Sequence, residues 1–167
     1  MITAPGRIWR PVLAAALTAF AVASLGALMT DLGPWYQSLR KPAWQPPDWL
    51  FGPVWTLIFA LAALSAVLAW QSARTRAARR WIVGLFGLNA FLNILWTVLF
   101  FRFHRPDWDW ALLEIGLLWL SIGVLMVVLA PHSRAASWLL APYLAWVTFA
   151  AALNLAVAEL NAPFAAA

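Results

Sequence analysis

The chain has 167 residues, of which 65% are hydrophobic and 10% charged, with a mean hydropathy of +0.81, whereas an ordinary soluble domain carries about 25% charged residues. That balance excludes a water-soluble globule and points to the lipid bilayer. The formal net charge of +5 does not make a nucleic-acid surface, because Lys and Arg fall in short connections between apolar runs rather than along one soluble face. The absence of cysteine excludes disulfides, thiolate metal sites and a cysteine nucleophile.

A helix needs about 20 apolar residues to cross the hydrocarbon core, and lipid leaves only helices and closed barrels as spanning structures. Five continuous runs meet that length: Pro11–Thr30, Trp49–Gln71, Trp81–Phe101, Trp110–Ala130 and Trp138–Leu160. They lack the alternation of a barrel strand, so the expected fold is an all-α integral membrane bundle of five helices forming one domain over residues 1–167. Four of the five runs begin at a tryptophan. Indole favours the headgroup boundary, so Trp49, Trp81, Trp110 and Trp138, with Trp9, Trp70 and Trp108, form an expected interfacial belt.

In the first run, Arg7 and Arg10 precede an apolar stretch and "AVAS" at 21–24, the form of a signal peptide. The stretch continues to Met29, longer than a signal's apolar core, and Ala15, Ala19, Ala23 and Ala27 repeat every fourth position, the small-residue spacing that lets membrane helices pack closely. A membrane-embedded first helix is therefore expected. Between the first two runs lies "LGPWYQSLRKPAWQPPD", too polar to span and too rich in aromatic residues and proline for a disordered tail. Pro34, Pro42, Pro46 and Pro47 hold it stiff and non-helical, so it reads as a lid bearing Trp35, Tyr36 and Trp44.

The second run carries Phe51, Trp55 and Phe59 at four-residue spacing, a stripe that serves either packing or a ligand. In the third, Asn89 and Asn93 share a face with Trp96 and Thr97. Asn89 reads as an interhelical hydrogen-bonding group, and Asn93, beside Trp96, as facing a cavity. In the fourth, Glu114 lies about one turn inside, within expected reach of water, Arg102 or Arg105. In the fifth, Tyr143, Trp146, Ala150 and Asn154 share a face, and small Ala150 leaves room beside an indole. Glu159 is expected to be solvated. His104 and His132 fall in different connections on opposite sides, and no metal-spaced cluster, acid–base pair or phosphate loop is present, so hydrolytic and metal-dependent chemistry is not expected. An odd number of spans without internal repeat disfavours an inverted-repeat transporter.

By the positive-inside rule, Arg7, Arg10, Arg74, Arg76, Arg79, Arg80 and Arg134 outnumber Arg40, Lys41, Arg102 and Arg105 on the other side, which orients the N-terminus to the cytoplasm. The alanine- and arginine-rich composition leans toward a bacterial cell membrane.

The segments "GAL" at 26–28, "WYQSLRKPAWQPPDWLFGPVWT" at 35–56, "LNAFLNILWTVLFF" at 88–101 and "PYLAWVTFAAALN" at 142–154, in this order and spacing, resemble the TspO/MBR family, the tryptophan-rich sensory and translocator proteins. The resemblance implies a five-helix bundle whose first connection covers a pocket lined by Gly26, Ala27, Tyr36, Trp55, Phe59, Asn93, Trp96, Trp146 and Ala150, with Arg40 and Lys41 at its mouth. It implies a receptor or sensor for protoporphyrin IX or haem that tunes tetrapyrrole handling or a stress response, with no required cofactor. The alternatives it implies are an enzyme breaking down porphyrin with light and oxygen through Trp55 and Trp146, and a carrier of porphyrin or sterol-like solutes. Benzodiazepine-type drugs and sterols are further expected ligands, although "LNLAVAELNAPFAAA" at 153–167 lacks the Tyr and Arg of the animal sterol motif. A homodimer is also implied, through the Ala15–Ala27 stripe or Gly84 and Gly87.

Overall fold

The computed structural model describes residues 9–103 and 110–161. Arg7, His104, Arg105 and Trp108 lie outside the described residues. The regular secondary structure of the described residues is all helix, with α1 at Trp9–Met29, α2 at Pro34–Ser38, α3 at Asp48–Ser72, α4 at Arg76–Arg102, α5 at Trp110–Leu129, α6 at Arg134–Trp138 and α7 at Ala141–Asn161. α1, α3, α4 and α5 are each long and apolar enough to span a bilayer, and α6 with α7 makes the fifth span. The five-helix membrane bundle expected from the sequence is the fold observed.

The proline-rich connection, expected to be non-helical, contains the helix α2, because Pro34 stands at its start, where the missing N–H costs nothing and the fixed φ suits a helix. Local chemistry also moves two boundaries. α4 begins five residues before Trp81 because the Thr75 side chain accepts a hydrogen bond from the Ala78 amide and caps the helix, supplying one of the acceptors that a helix start lacks. The fifth span is broken at Leu139–Leu140 rather than continuous from Trp138. Pro142 cannot donate to the carbonyl four residues back and its ring would crowd it, so α7 starts afresh with Pro142 in its first turn, where the missing N–H is harmless. α6 has its own cap, the Ser133 side chain receiving the Ala136 amide.

The helices close a ring in which α1 lies on α3 and α4, α4 on α5, α5 on α7, and α7 with α6 on α3. α5 is the most enclosed: Ala111, Glu114, Ile115, Leu118, Ile122, Leu125 and Leu129 are buried at helical spacing. They join Ile58, Ile82, Leu140 and Val147 in the main core. α1, by contrast, buries only Val22 and leaves Leu13, Leu17, Phe20 and Leu28 exposed. Such a surface is stable only where the surroundings are as apolar as the side chains, which is the acyl region of a bilayer. Two buried hydroxyls pin α6 in place, the Ser65 Oγ donating to the Ala136 carbonyl at 2.7 Å and the Ser137 Oγ to the Met126 carbonyl at 2.8 Å.

Candidate functional site

Rings fill the space between α3 and α7. Trp55 stacks on Phe59 with centroids 5.3 Å apart, and meets Tyr143 edge to face at 6.0 Å and Trp146 at 6.5 Å. Phe51 closes on Trp146 at 5.6 Å. The four-residue spacing on α3 and the 143, 146, 150 spacing on α7 make this arrangement: each stripe presents one face to the other. Of the residues expected to line a pocket, Trp55, Trp96, Trp146 and Ala150 belong to one packed cluster, and Phe59 joins it through Trp55.

α4 contributes polar groups to the same interior. The Asn93 Nδ2 donates to the Tyr143 hydroxyl at 3.1 Å, and the Trp96 Nε1 donates to the Asn154 Oδ1 at 3.2 Å. Asn89 donates instead to the Ser121 Oγ at 2.8 Å, tying α4 to α5, the interhelical role expected of it. Burying an amide or indole N–H away from water demands such a partner. Two buried groups lack one among the described residues: the Trp146 Nε1 and both oxygens of the Glu114 carboxyl. Glu114 is 4% exposed, so it does not reach toward water as expected. Arg102 pairs with Asp31 at 3.5 Å instead.

The proline-rich connection lies over the end of the bundle where α4 finishes and α7 ends. Tyr36 of α2 is buried against Phe101, Trp35 meets Phe100 edge to face, and Phe100 stacks on Trp96 at 5.4 Å. Trp44 meets Phe149, which adjoins Trp146. The connection thus touches both the α4 rings and the α7 rings. Its middle is clamped by Asn161, whose side chain accepts from the Arg40 amide and donates to the Arg40 carbonyl, both at 2.8 Å. Those two bonds contribute about 1 kcal/mol each, so Asn161→Ala is expected to raise the population of an opened connection roughly 30-fold. Limited trypsin digestion between Arg40 and Lys41, the bond not followed by proline, reads that population, and an unchanged cleavage rate contradicts the clamp.

Tyr36 also heads a small polar cluster. Its hydroxyl donates to the Asp48 Oδ1 at 3.0 Å, the Gln45 Nε2 reaches both groups at 3.3 Å, and the Lys41 ammonium sits 3.7 Å above the ring. Burial, and then the Asp48 carboxylate, push the Tyr36 phenol up to about 12. A raised folded value means that the neutral phenol stabilises the fold fully below pH 10 and that this contribution is lost as pH rises through about 12. Asp48→Asn is expected to bring the tyrosinate absorbance step of Tyr36, defined by its absence in Tyr36→Phe, to lower pH. A step that stays in place would contradict the coupling.

Gly26 is half-buried on α1 beside open space, and Ala27 is exposed on the same helix. Arg40 is exposed and held through its backbone. Sequence reasoning did not find the Tyr36–Asp48–Gln45 cluster or the Asn161 clamp. No residue spacing announces a contact across 121 positions.

These features define a multi-span helical membrane protein with an aromatic interior and a structured connection laid over one end. The family model described as TspO/MBR family matches residues 14–160, and the chain belongs to that family. It is 41% identical over 131 residues to the tryptophan-rich protein TspO of Chlorobaculum tepidum, covering 76% of this chain and 79% of the relative. It is 36% identical over 152 residues to the tryptophan-rich protein TspO of Archaeoglobus fulgidus, covering 90% and 96%. With the tryptophan-rich sensory protein of Cereibacter sphaeroides it shares 33% identity over 141 residues, covering 84% and 85%.

Proposed function

We propose that this protein is a membrane receptor or sensor that binds a porphyrin, protoporphyrin IX or haem, among α3, α4 and α7. The observation that carries the reading is the indole of Trp146, set against the rings of Phe51, Trp55 and Phe149, whose N–H is buried without a partner among the described residues. A planar conjugated ligand offers what that surface lacks, a flat face for the rings and acceptor atoms for the N–H. Tyr143 and Asn93 fix each other's orientation, and Ala150 keeps the space beside the indole small-sided. Arg40 and Lys41 on the connection would receive the ligand's carboxylates, and release of the Asn161 clamp would open the way in, making the connection a lid.

The likeness to the tryptophan-rich sensory protein of Cereibacter sphaeroides supports a receptor over a structural role. The charge asymmetry of the connections supports an N-terminus facing the cytoplasm, in a bacterial cell membrane. A dark titration with protoporphyrin IX tests the binding claim: tryptophan emission falls to saturation at one porphyrin per chain. Linear quenching without saturation contradicts it.

One observation favours a second reading. Trp55 and Trp146 stand nearly perpendicular at 6.5 Å, so a bound porphyrin excited by light would have two oxidisable indoles within the same site. In that case the protein is an enzyme consuming porphyrin, light and oxygen, and Trp→Phe variants keep binding while losing turnover.

A further inference from the structure

At the end of the bundle opposite the proline-rich connection, α5 and α6 enclose a groove of about 360 Å³ lined by Met126, Val127, Ala130, Arg134, Ser137 and Trp138. Its floor is rigid, because the Ser137 side chain is bonded to the Met126 carbonyl and the adjoining Ala136 carbonyl receives the buried Ser65 hydroxyl. Its two halves differ in chemistry. Met126, Val127 and Ala130 end the apolar run of α5, with Val127 73% exposed, while Trp138 is 70% exposed at the level where the span meets its connection. Arg134 stands at the polar rim, exposed and without an ion pair among the described residues.

The charge around the groove has one sign. The connections at this end, residues 73–80 and 130–140, hold Arg74, Arg76, Arg79, Arg80 and Arg134, and none of the six acidic residues of the chain falls in either stretch. Arg79 is occupied within the protein, its Nε donating to the Ala73 carbonyl and its guanidinium lying 5.2 Å from the Trp70 ring centroid. Arg134 has no such neighbour among the described residues, so its exposed guanidinium is open to an anion from outside the protein. A trough lined by apolar side chains, an interfacial indole and an exposed guanidinium in sequence along one groove match the acyl chain, glycerol region and phosphate of a single lipid.

We propose that this groove is a binding site for one anionic glycerophospholipid of the adjacent leaflet, with its acyl chain along Met126 and Val127 and its phosphate on Arg134. The site is separate from the aromatic interior and stands whether or not a porphyrin binds there.

Native mass spectrometry of the full chain in detergent, titrated with phosphatidylglycerol or phosphatidylcholine of the same acyl chains, tests the proposal. One phosphatidylglycerol is retained in preference to phosphatidylcholine. Arg134→Gln weakens phosphatidylglycerol about fivefold, the effect of one basic residue at a membrane surface, and Arg134→Lys restores most of it. Arg74→Gln removes a charge from the same end outside the groove and leaves binding intact. Equal retention of the two lipids, an unchanged Arg134→Gln variant, or an equal loss in Arg74→Gln would each overturn the site.

Discussion

Trp146→Ala is expected to raise the dissociation constant for protoporphyrin IX roughly 30-fold to 1000-fold, the 2–4 kcal/mol typical of a buried tryptophan at the centre of a binding surface. Trp146 is central because it contacts Phe51, Trp55 and Phe149 together, so its removal opens a gap that no neighbouring ring can fill. Its N–H is also one of the buried groups without a partner among the described residues, which adds a hydrogen bond to what the ligand gains. Trp146→Phe separates the two contributions. It keeps a face for stacking and loses the donor, and should fall between wild type and Trp146→Ala. Should fluorescence or absorbance titration return the wild-type constant for both variants, the ligand does not use this interior.

Glu114→Leu is expected to stabilise the unliganded protein by about 1–4 kcal/mol, read as a higher midpoint of thermal unfolding in detergent. A carboxyl buried without a hydrogen-bond partner has given up its hydration and received nothing in return. Here both oxygens are unpaired among the described residues, on a face of α5 that also buries Ala111, Ile115 and Leu118. Leucine fills a similar volume and removes that cost. Costly polar groups inside a bilayer are kept where they act on a ligand or an ion, so the stabilised variant should bind porphyrin less tightly. A lower unfolding midpoint for Glu114→Leu would mean that the carboxyl is already bonded in the resting protein.

Much of this arrangement could be read before any coordinates. Apolar length gave five spans because lipid forbids other solutions, and four-residue spacing placed Phe51, Trp55 and Phe59 on one face of α3 and Tyr143, Trp146 and Ala150 on one face of α7. Periodicity says which face a residue occupies but not what meets it, so the opposition of the two stripes became visible only in three dimensions. The break at Leu139–Leu140 has a local signal in Pro142, masked by the apolar run that continues through it. Glu114 reads as reaching water or an arginine because it sits near a span end, yet it falls on the face of α5 that also buries Ala111, Ile115 and Leu118. Contacts of the connection, Tyr36 with Asp48 and Arg40 with Asn161, depend on how a proline-stiffened chain turns back, and hydropathy carries no information about that path.

The central claim is that the aromatic interior holds a porphyrin, and the most direct measurement follows tryptophan emission and porphyrin absorbance together while protoporphyrin IX is added to the purified protein, first in the dark and then under light. The receptor account predicts saturable quenching at one porphyrin per chain, shifted to roughly 30-fold to 1000-fold higher porphyrin in Trp146→Ala, with an absorbance that light does not change beyond the rate of protein-free porphyrin. Quenching that fails to saturate, or that saturates at the same concentration in Trp146→Ala, contradicts the site. Protein-dependent bleaching under light, lost in Trp55→Phe and Trp146→Phe while quenching remains, contradicts the receptor and establishes the enzyme.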